Sequence, residues 1–212
     1  MKYRGQTVPF SWNVIGRFNI SNCLAAAALG LSLGIDLRKI SEIISCFNLT
    51  AGRLEKVPNS LGLHIYVDFA HTDDALKNVL ECLNEIRTGK IITVFGCGGN
   101  KDRGKRPKMA QVAQELSDIV VVTSDNPRDE DPAAICQEIV QGFTLDKKYF
   151  VEIDRRLAIQ LAIDHAQPDD MILIAGKGHE NYQIFNHKTV EFDDRLVTAE
   201  LCQKLSTNQV LL

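Results

Sequence analysis

The chain has 212 residues and a formal net charge of −3, with 24 Lys and Arg residues against 27 Asp and Glu residues. Without an excess of positive charge it lacks the electrostatic footprint of a nucleic-acid-binding protein, so no nucleic-acid partner is expected. Hydrophobic residues make up 45% and charged residues 24%, which is ordinary for a globular protein and excludes a disordered or fibrous class.

Neither a membrane span nor a disulfide framework is predicted. The longest apolar run, from Leu24 to Leu33, is interrupted by Gly30 and Ser32 and is shorter than the ~20 residues that cross a bilayer. Met1 to Phe10 lacks the apolar centre of a secretory signal. The six cysteines are widely spaced, without a CxxC pair. We interpret them as thiols in a reducing compartment, and we expect a cytoplasmic protein without a metal site.

Two helices are predicted near the N-terminus. The apolar positions of the first recur at helical spacing: Ile20, Leu24, Ala27, Leu31 and Ile35. Asp36 can cap the second, whose predicted apolar face comprises Leu37, Ile40, Ile43, Ile44 and Phe47. A short strand is expected from Phe10 to Ile15. Because so short a segment cannot bury a core alone, residues 1–50 are interpreted as the remnant of a larger domain.

From Gly62 onward, short apolar strands alternate with amphipathic helices. The predicted strands are His64–Phe69, Ile91–Phe95, Ile119–Thr123, Tyr149–Ile153 and Met171–Ala175, and the predicted helices begin at Thr72, Pro107, Asp131 and Arg155. This alternation predicts an α/β fold with a doubly wound, mostly parallel sheet. A hairpin (Tyr182–Phe185 with Thr189–Phe192), a helix from Asp194 to about Leu205 and a polar tail are expected to follow.

Glycine and charged residues are concentrated in the loops after four of these strands. The loops are Asp68–His71, Gly96–Arg106, Ser124–Arg128 and Gly176–Glu180. Ligands of open parallel sheets bind beyond the carboxyl ends of the strands. The four loops therefore predict one binding edge.

The loops also allow structural interpretations. Asp68 and His71 can serve as caps for the helix that begins near Thr72. The three glycines at 96, 98 and 99 suit either amides that face an anion or an ordinary turn. Arg128, placed after Asn126-Pro127, suits a carboxylate, and Glu180 suits an ammonium group. Together they are appropriate for an amino-acid zwitterion, although an ion pair between the two loops is equally possible.

Two nucleotide-binding fingerprints are missing from the glycine-rich loop. Lys101 stands where the dinucleotide motif G-x-G-x-x-G needs its third glycine, and no Walker A sequence occurs in the chain. A dinucleotide-binding oxidoreductase domain remains an alternative but is disfavoured. The cations between Asn100 and Lys108 favour an anionic substrate group.

With these loops assembled, the chain resembles the C-terminal portion of the Mur ligases, ATP-dependent amide-forming enzymes of peptidoglycan synthesis. Six stretches carry the resemblance, in family order: GRFNISN (Gly16–Asn22), AGRLE (Ala51–Glu55), VDFAHTDDAL (Val67–Leu76), VFGCGGNKDRGKRPKM (Val94–Met109), DNPR (Asp125–Arg128) and GKGHENYQ (Gly176–Gln183). The most similar branch adds meso-diaminopimelate to UDP-N-acetylmuramoyl-L-alanyl-D-glutamate through an acyl-phosphate intermediate.

The resemblance implies that residues 1–50 end the family's central ATP-binding domain, and that residues 51–212 form its Rossmann-like, amino-acid-binding domain. ATP and Mg²⁺ are the implied cofactors, and the UDP-MurNAc-dipeptide is bound by the missing domains. The P-loop and the Mg²⁺ ligands belong to those domains too. No catalytic or metal-binding residue is therefore expected here, and the chain alone is expected to be inactive.

The resemblance also assigns binding residues. The implied nucleotide contacts are Asn19, Asn22, Arg53, Asp68 and His71, and the implied diaminopimelate contacts are Lys101, Asp125, Asn126, Arg128, Gly176 and Glu180. Asn100 and Lys101 replace an Asp-Arg pair of the related pattern, and Arg103 is expected to compensate for the lost arginine. Selectivity for diaminopimelate then depends mainly on Arg128, which can hold the second carboxylate that lysine lacks. The alternatives are a lysine-adding ligase of the same family and a non-catalytic binding module.

Overall fold

The computed structural model describes residues 1–12, 14–47, 50–144 and 146–210. The chain divides into two compact units, Met1–Thr50 and Ala51–Leu212. Across the described part of the chain, no helix is long and apolar enough to cross a membrane. Residue 13 of the predicted N-terminal strand and residues 211–212 of the expected tail lie outside the described residues.

The first unit consists of a small hairpin and two helices. Its elements are β1 (Lys2–Tyr3), β2 (Gln6–Thr7), α1 (Arg17–Ser32) and α2 (Leu37–Cys46). Asp36 caps α2 as predicted, because its side chain accepts a hydrogen bond from the amide of Arg38 at 2.8 Å. Cys23, Ala27, Ile40 and Ile44 form the small core between the two helices.

The strand predicted from Phe10 to Ile15 is wrong, since the described residues of that segment have no strand partner. Phe10 and Trp12 instead pack against the small core of the helix pair. The indole of Trp12 donates to the carbonyl of Phe47 at 2.7 Å. The apolar side chains that suggested a strand therefore anchor an irregular segment to this core.

The predicted apolar face of α1 is confirmed only in part, since Ala27 is buried as expected but other members are not. Ile20 and Leu24 are 54% and 53% exposed, whereas the stripe Asn19, Cys23 and Ala27 is buried. This helix is apolar on more than one side, so periodicity alone does not identify the side that packs on α2. The result is an exposed apolar surface on the first unit.

The second unit contains the alternating strands and helices. In chain order they are β3 (Glu55–Val57), β4 (His64–Asp68), α3 (Asp73–Ile86), β5 (Ile91–Phe95), α4 (Lys105–Leu116), β6 (Ile119–Val122), α5 (Pro132–Val140), β7 (Tyr149–Val151), α6 (Arg155–Asp164), β8 (Met171–Ala175), β9 (Tyr182–Phe185), β10 (Lys188–Glu191) and α7 (Asp194–Val210). The predicted α/β fold class is confirmed.

Six strands form one sheet in the order β3-β4-β8-β5-β6-β7. β3 runs antiparallel to β4, and the other four pairings are parallel. Because β8, the last parallel strand in the chain, inserts between β4 and β5, the loops after these three strands and β6 emerge side by side. That arrangement puts all four unusual loops at one edge of the sheet.

Helices cover the sheet on both faces. One core cluster joins α6 and α7 to alternate strand residues such as Val67, Ile92 and Ile172. The intervening residues face the other side, where the hydroxyl of Thr93 lies 2.7 Å from that of Ser117 at the end of α4. Both faces of the central strands are therefore buried, which explains their continuous apolar sequences.

Some element boundaries differ from the sequence prediction. α4 begins at Lys105, two residues before the predicted start at Pro107, because a proline is tolerated in the first turn of a helix. α7 continues to Val210, beyond the predicted end near Leu205. β3 was not predicted, since its three residues lack an apolar run.

Candidate functional site

A cleft of about 460 Å³ lies at the carboxyl ends of the parallel strands. It is lined by Phe69, His71, Thr72, Asp73, Gly96, Gly98, Lys101, Asp102, Lys105, Asp125, Asn126, Arg128, Gly176 and Glu180. All four unusual loops contribute to it. The six residues assigned to diaminopimelate by resemblance are therefore brought together, and His71 joins them.

The DNPR segment is fixed by the hairpin that follows β8. The amide of Arg128 donates to the carbonyl of Ile184 at 2.9 Å, and the amide of Asn186 donates to the carbonyl of Arg128 at 2.6 Å. The side-chain amide of Gln183 also donates to the carbonyl of Asp125 at 2.8 Å. The hairpin thus holds both ends of the segment against the cleft.

The guanidinium of Arg128 is only partly used by the protein. Its Nη1 donates to the carbonyls of Gly99 at 2.9 Å and Asn126 at 3.3 Å. Among the described residues, its Nε and Nη2 have no partner and no carboxylate pairs with it. The structural ion pair between Arg128 and Glu180 that the sequence allowed does not form. Arg128 therefore retains donors for a ligand carboxylate.

Asp125 carries a buried carboxylate oxygen without a partner. Its Oδ1 accepts from the amide of Asn126 at 2.7 Å, whereas no described atom donates to the buried Oδ2. Burial raises the pKa of Asp125, and the charges of Arg155 and Lys177 oppose that rise. The backbone of Gly176 has φ +116, and a Cβ there would lie 2.6 Å from this Oδ2. The site therefore requires a glycine at this position.

The side chains of Asn126 and Glu180 form a hydrogen bond with each other. Nδ2 of Asn126 donates to Oε2 of Glu180 at 2.8 Å, and Oδ1 of Asn126 accepts from the amide of Ile184 at 3.1 Å. Lys177, which is fully buried, donates to the same Glu180 oxygen at 3.3 Å. The DNPR and GKGHE loops are consequently joined by a polar network at the floor of the cleft.

The glycine-rich loop packs directly on DNPR. The amide of Gly99 donates to the carbonyl of Asn126 at 2.9 Å, and a Cβ on Gly99 would lie 1.8 Å from the carbonyl oxygen of Pro127. This amide is satisfied within the protein, so it does not face an anion. At this position, close contact between two loops accounts for the glycine.

Lys101 and Arg103 differ sharply in position. Lys101 lines the cleft, whereas the guanidinium of Arg103 is directed to Glu138 on α5, with Nε 3.1 Å from Oε2. The expectation that Arg103 compensates for an arginine at position 101 is therefore not supported. The loop therefore contributes lysines, Lys101 and Lys105, to the cleft and no arginine.

A salt-bridge network braces the glycine-rich loop. Arg106, fully buried, donates to Glu130 at 2.9 Å and to Glu138 at 2.7 Å, and Glu130 also accepts from the amide of Asn100 at 2.6 Å. Side-chain hydrogen bonds from Arg103 and then Arg106 lower the pKa of Glu138 to about 2. The start of α4 is thereby tied to α5.

Cys97, although it lies in the glycine-rich loop, is not a reactive thiol. Its sulfur is buried and lies 3.6 Å from the sulfur of Met109. Burial raises the pKa of Cys97 to about 12. Since the thiolate is the nucleophilic form, this residue acts as a small core side chain.

A second group of residues surrounds Phe69 at the margin of the cleft. The guanidinium of Arg53 lies 5.2 Å from the centre of the Phe69 ring, and the rings of His71 and His179 lie 4.6 and 5.6 Å from it. Arg53 and His71 are both exposed. This group presents a cation and aromatic surfaces to solvent.

Asp68 supports this group without capping a helix. Its carboxylate accepts from the amides of Leu54 at 2.7 Å and Ala70 at 2.8 Å. Burial raises its pKa, and these two hydrogen bonds and the charge of Arg53 oppose the rise. The cap of α3 is Thr72, as its hydroxyl accepts from the amide of Ala75. The capping interpretation of Asp68 and His71 is therefore wrong.

The remaining two candidate residues lie in the first unit. Asn19 is buried, and its Nδ2 donates to the carbonyl of Ile15 at 2.7 Å. Asn22, three residues later on α1, is exposed. Of the two amides, only that of Asn22 is presented to solvent.

Arg155 supports the cleft from below and was not predicted. It forms a two-pronged pair with Asp194 at 2.7 and 2.8 Å and also donates to the carbonyls of Ser124 and Ala175. These carbonyls lie at the ends of β6 and β8, so the pair fixes both strand ends. Lys177 and Gln183 belonged to the quoted GKGHENYQ stretch, but nothing in the sequence distinguished Arg155.

Comparison with known proteins connects this geometry to one family. A family model described as "Mur ligase, glutamate ligase domain" matches residues 52–178. The chain is 46% identical to a UDP-N-acetylmuramoyl-L-alanyl-D-glutamate–2,6-diaminopimelate ligase of Geobacter metallireducens over 95% of its own length and 42% of that protein. It is likewise 46% identical to the Vibrio vulnificus ligase of the same name, over 89% and 38% of the two chains.

Solved structures with a similar fold include ligases of this kind. A UDP-N-acetylmuramoyl-L-alanyl-D-glutamate–2,6-diaminopimelate ligase superposes with a TM-score of 0.73 at 36% identity, over 93% of this chain and 40% of that one. A UDP-N-acetylmuramate-alanine ligase from Thermotoga maritima has the same fold, with a TM-score of 0.67 at 19% identity over 97% and 41% of the two chains. The chain spans about two fifths of the length of the relatives it matches.

Proposed function

This chain belongs to the Mur ligase family, and on that basis we propose that it is the amino-acid-binding part of an ATP-dependent ligase. The complete enzyme would join meso-diaminopimelate to UDP-N-acetylmuramoyl-L-alanyl-D-glutamate in peptidoglycan synthesis, in the cytoplasm. The observation that carries the proposal is the cleft in which Lys101, Asn126, Arg128 and Glu180 converge. The names of the relatives support the choice of amino acid.

Arg128 is the proposed contact for the side-chain carboxylate of diaminopimelate. Its Nε and Nη2 are free of partners among the described residues, and a guanidinium can hold a carboxylate with two parallel hydrogen bonds. Lysine has no second carboxylate and would leave those donors unpaired. The resulting selectivity would come from a polar contact, which discriminates more strongly than apolar fit.

Asn126, Glu180 and Gly176 are the proposed contacts near an ammonium group of the ligand. Glu180 uses one carboxylate oxygen within the protein and has no described partner for the other. Asp125 adds a buried, unpartnered oxygen to the same cleft. Lys101 would contribute a single positive charge opposite a carboxylate. Together, the acidic groups suit the ammonium of an amino acid and the lysine suits its carboxylate.

The chain's own contribution to the reaction would be the positioning of the attacking amine. Holding two reactants in the correct orientation lowers the entropic part of the barrier. Fixed charges and hydrogen bonds would orient diaminopimelate so that its free amine faces the activated carboxyl group of the dipeptide. No proton-transfer group of this chain is required for that role.

Nucleotide contacts are proposed for Asn22, Arg53 and His71. All three are exposed, and Arg53 and His71 flank the Phe69 ring, which suits a planar or anionic ligand. Because the side chains of Asn19 and Asp68 bond to the backbone, we assign them a supporting role. ATP, bound by the complete ligase, would supply the phosphoryl group that activates the carboxylate.

Magnesium ligands are assigned to other parts of the complete ligase. Among the residues that the structure describes, no group of three or more His, Cys, Asp or Glu side chains is arranged to hold a metal ion. The described residues therefore offer no preformed cluster of such ligands. We propose that the ion is bound by the domain that carries the phosphate-binding loop.

Residues 1–50 are proposed to correspond to the end of the central ATP-binding domain. The family model begins only at residue 52, and the first unit exposes several large apolar side chains: Ile20, Leu24, Leu29, Leu33 and Phe47. An exposed apolar surface of this kind is typical of a segment that packs against further protein. Residues 51–212 are proposed to be the amino-acid-binding domain.

A chimeric ligase tests the proposed function. The Geobacter metallireducens relative would be produced with its matching C-terminal part replaced by this chain, and amide formation would be followed with meso-diaminopimelate and with L-lysine. Activity that depends on meso-diaminopimelate is expected. A folded chimera that binds ATP but uses only lysine would contradict the substrate assignment. A folded chimera that uses neither amino acid would contradict the proposed ligase role.

A further inference from the structure

Lys177 is a buried cation directly beneath the cleft. Its side chain is fully buried, and its ammonium donates to the backbone carbonyl of Tyr182, to Oε2 of Glu180 at 3.3 Å and to Oδ1 of Asn126 at 3.4 Å. A lysine ammonium has three N–H donors, so three oxygen acceptors satisfy it. Lys177 is therefore a fixed internal charge without exposure to a ligand.

A buried ammonium is costly unless it is paired and hydrogen-bonded, and an apolar side chain of similar volume is often as stable. Stability alone therefore does not explain why a lysine occupies this buried position. Two of its three acceptors belong to Asn126 and Glu180, the candidate contacts from two different loops. This coincidence indicates a role in arranging the site.

The first effect of Lys177 is on the side-chain amide of Asn126. Oδ1 of that amide accepts from Lys177 and from the backbone amide of Ile184, while Nδ2 donates to Glu180. Reversing the amide would place its NH₂ group against two donors and its oxygen against a carboxylate. The network therefore fixes one orientation, and Lys177 supplies half of the donors that do so.

The second effect is on Glu180. Both Lys177 and Asn126 donate to Oε2, and no described residue donates to Oε1. The carboxylate is thus held by one oxygen while the residue lines the cleft. A ligand ammonium can approach the other oxygen without displacing the internal hydrogen bonds.

We propose that Lys177 is a positioning residue that holds Asn126 and Glu180 in the orientation required to receive a ligand ammonium group. The identity of the ligand rests on the proposed function, whereas the arrangement of the three side chains does not. Lys177 acts through its neighbours and does not contact the amino acid.

The test replaces Lys177 with methionine, which keeps the length of the side chain and removes its charge. In the isotope-labelled 212-residue chain, the Asn126 side-chain NH₂ signals are expected to shift and exchange faster with water. The dissociation constant for meso-diaminopimelate is expected to rise by about tenfold or more. Ile163→Ala, in the core away from the cleft, serves as a control for lost stability and should leave both readouts unchanged.

A double-mutant cycle separates positioning from general destabilisation. If Lys177 acts through Glu180, Lys177→Met should weaken binding much less in a Glu180→Gln background than in the wild-type chain. Additive losses of affinity in the two backgrounds would contradict the proposal.

One measurement needs no substitution at all. In the wild-type chain, the ammonium protons of Lys177 should exchange slowly enough to be observed at neutral pH, because the group is buried and hydrogen-bonded. Fast exchange would overturn the inference, as would unchanged Asn126 signals in a folded Lys177→Met chain. If Lys177→Met alters those signals but the wild-type chain binds no amino acid, the positioning role stands and the proposed function fails.

Discussion

Asn126 donates a hydrogen bond from its side-chain amide to Oε2 of Glu180 at 2.8 Å, although 54 residues separate them in sequence. The contact joins the loops that follow β6 and β8, two strands that lie on either side of β5. Sheet order thus brings together two residues that sequence order separates.

Replacing Arg128 with lysine should weaken the binding of meso-diaminopimelate selectively. Lysine keeps a positive charge but loses the two-pronged geometry, which corresponds to roughly 1.5–3 kcal/mol for a charged hydrogen-bonded contact. Affinities for meso-diaminopimelate and L-lysine would be measured by calorimetry. The matched control is Arg103→Lys, since Arg103 pairs with Glu138 and does not line the cleft. Equal losses for both ligands would contradict the assigned contact.

Replacing Lys101 with arginine should strengthen binding. The arginine would restore the residue of the related pattern and add a second donor for a ligand carboxylate, with a gain of about 1 kcal/mol. Lys108→Arg, at an exposed position of α4, controls for a general effect of added guanidinium groups. A Lys101→Arg chain that binds meso-diaminopimelate more weakly would show that this cleft is adapted to lysine.

Gly176→Ala should destabilise the fold and abolish binding. The substitution combines an unfavourable φ of +116 with a contact of 2.6 Å to Asp125, and it should lower the free energy of unfolding by roughly 2–5 kcal/mol. The control is Gly62→Ala, where φ is +72 but the nearest atom, in Pro168, would lie at 3.6 Å. That change should cost only about 1–2 kcal/mol. Urea unfolding measures both, and equal losses would contradict the steric argument.

Glu138 should make the stability of the domain depend on pH. Arg103 and then Arg106 lower its pKa to about 2, whereas an unfolded glutamate titrates near ~4.3. Its stabilising effect should therefore be complete above the unfolded value and be lost as the pH falls towards about 2.

Urea unfolding of the wild-type chain and of Glu138→Gln would be compared from about pH 7 down to about pH 3. The stability difference between them should shrink as the pH falls. Glu115→Gln, at an exposed position of α4, is the control and should show no such trend. A difference that stays constant across the range would rule out the ion pairs as its cause.

The sequence predicted strand boundaries best for strands in which every residue is buried. The predicted strands Ile91–Phe95 and Met171–Ala175 match the structure residue for residue, because both are apolar runs that end at glycine. β3 could not be predicted in the same way, since its Glu-Lys-Val sequence is ordered by pairing with β4. Long-range pairing of this kind leaves no local pattern.

In the candidate site, too, local sequence patterns were predictive and long-range contacts were not. The loops at the binding edge were predictable because glycine and charge accumulate after the strands. Nothing in the sequence, by contrast, predicts that Lys177 is buried, and only the packed structure shows it. Arg103 was placed wrongly because its partner, Glu138, lies 35 residues away.

The most direct test of the proposed amino-acid site is a titration of the 212-residue chain with meso-diaminopimelate and, separately, with L-lysine, monitored by backbone and side-chain NMR signals. Meso-diaminopimelate is expected to perturb Asn126, Arg128, Gly176 and Glu180 and to bind at least about tenfold more tightly than lysine, a difference of about 1.4 kcal/mol. Equal affinities, or perturbations confined to residues outside the cleft, would contradict the proposed site.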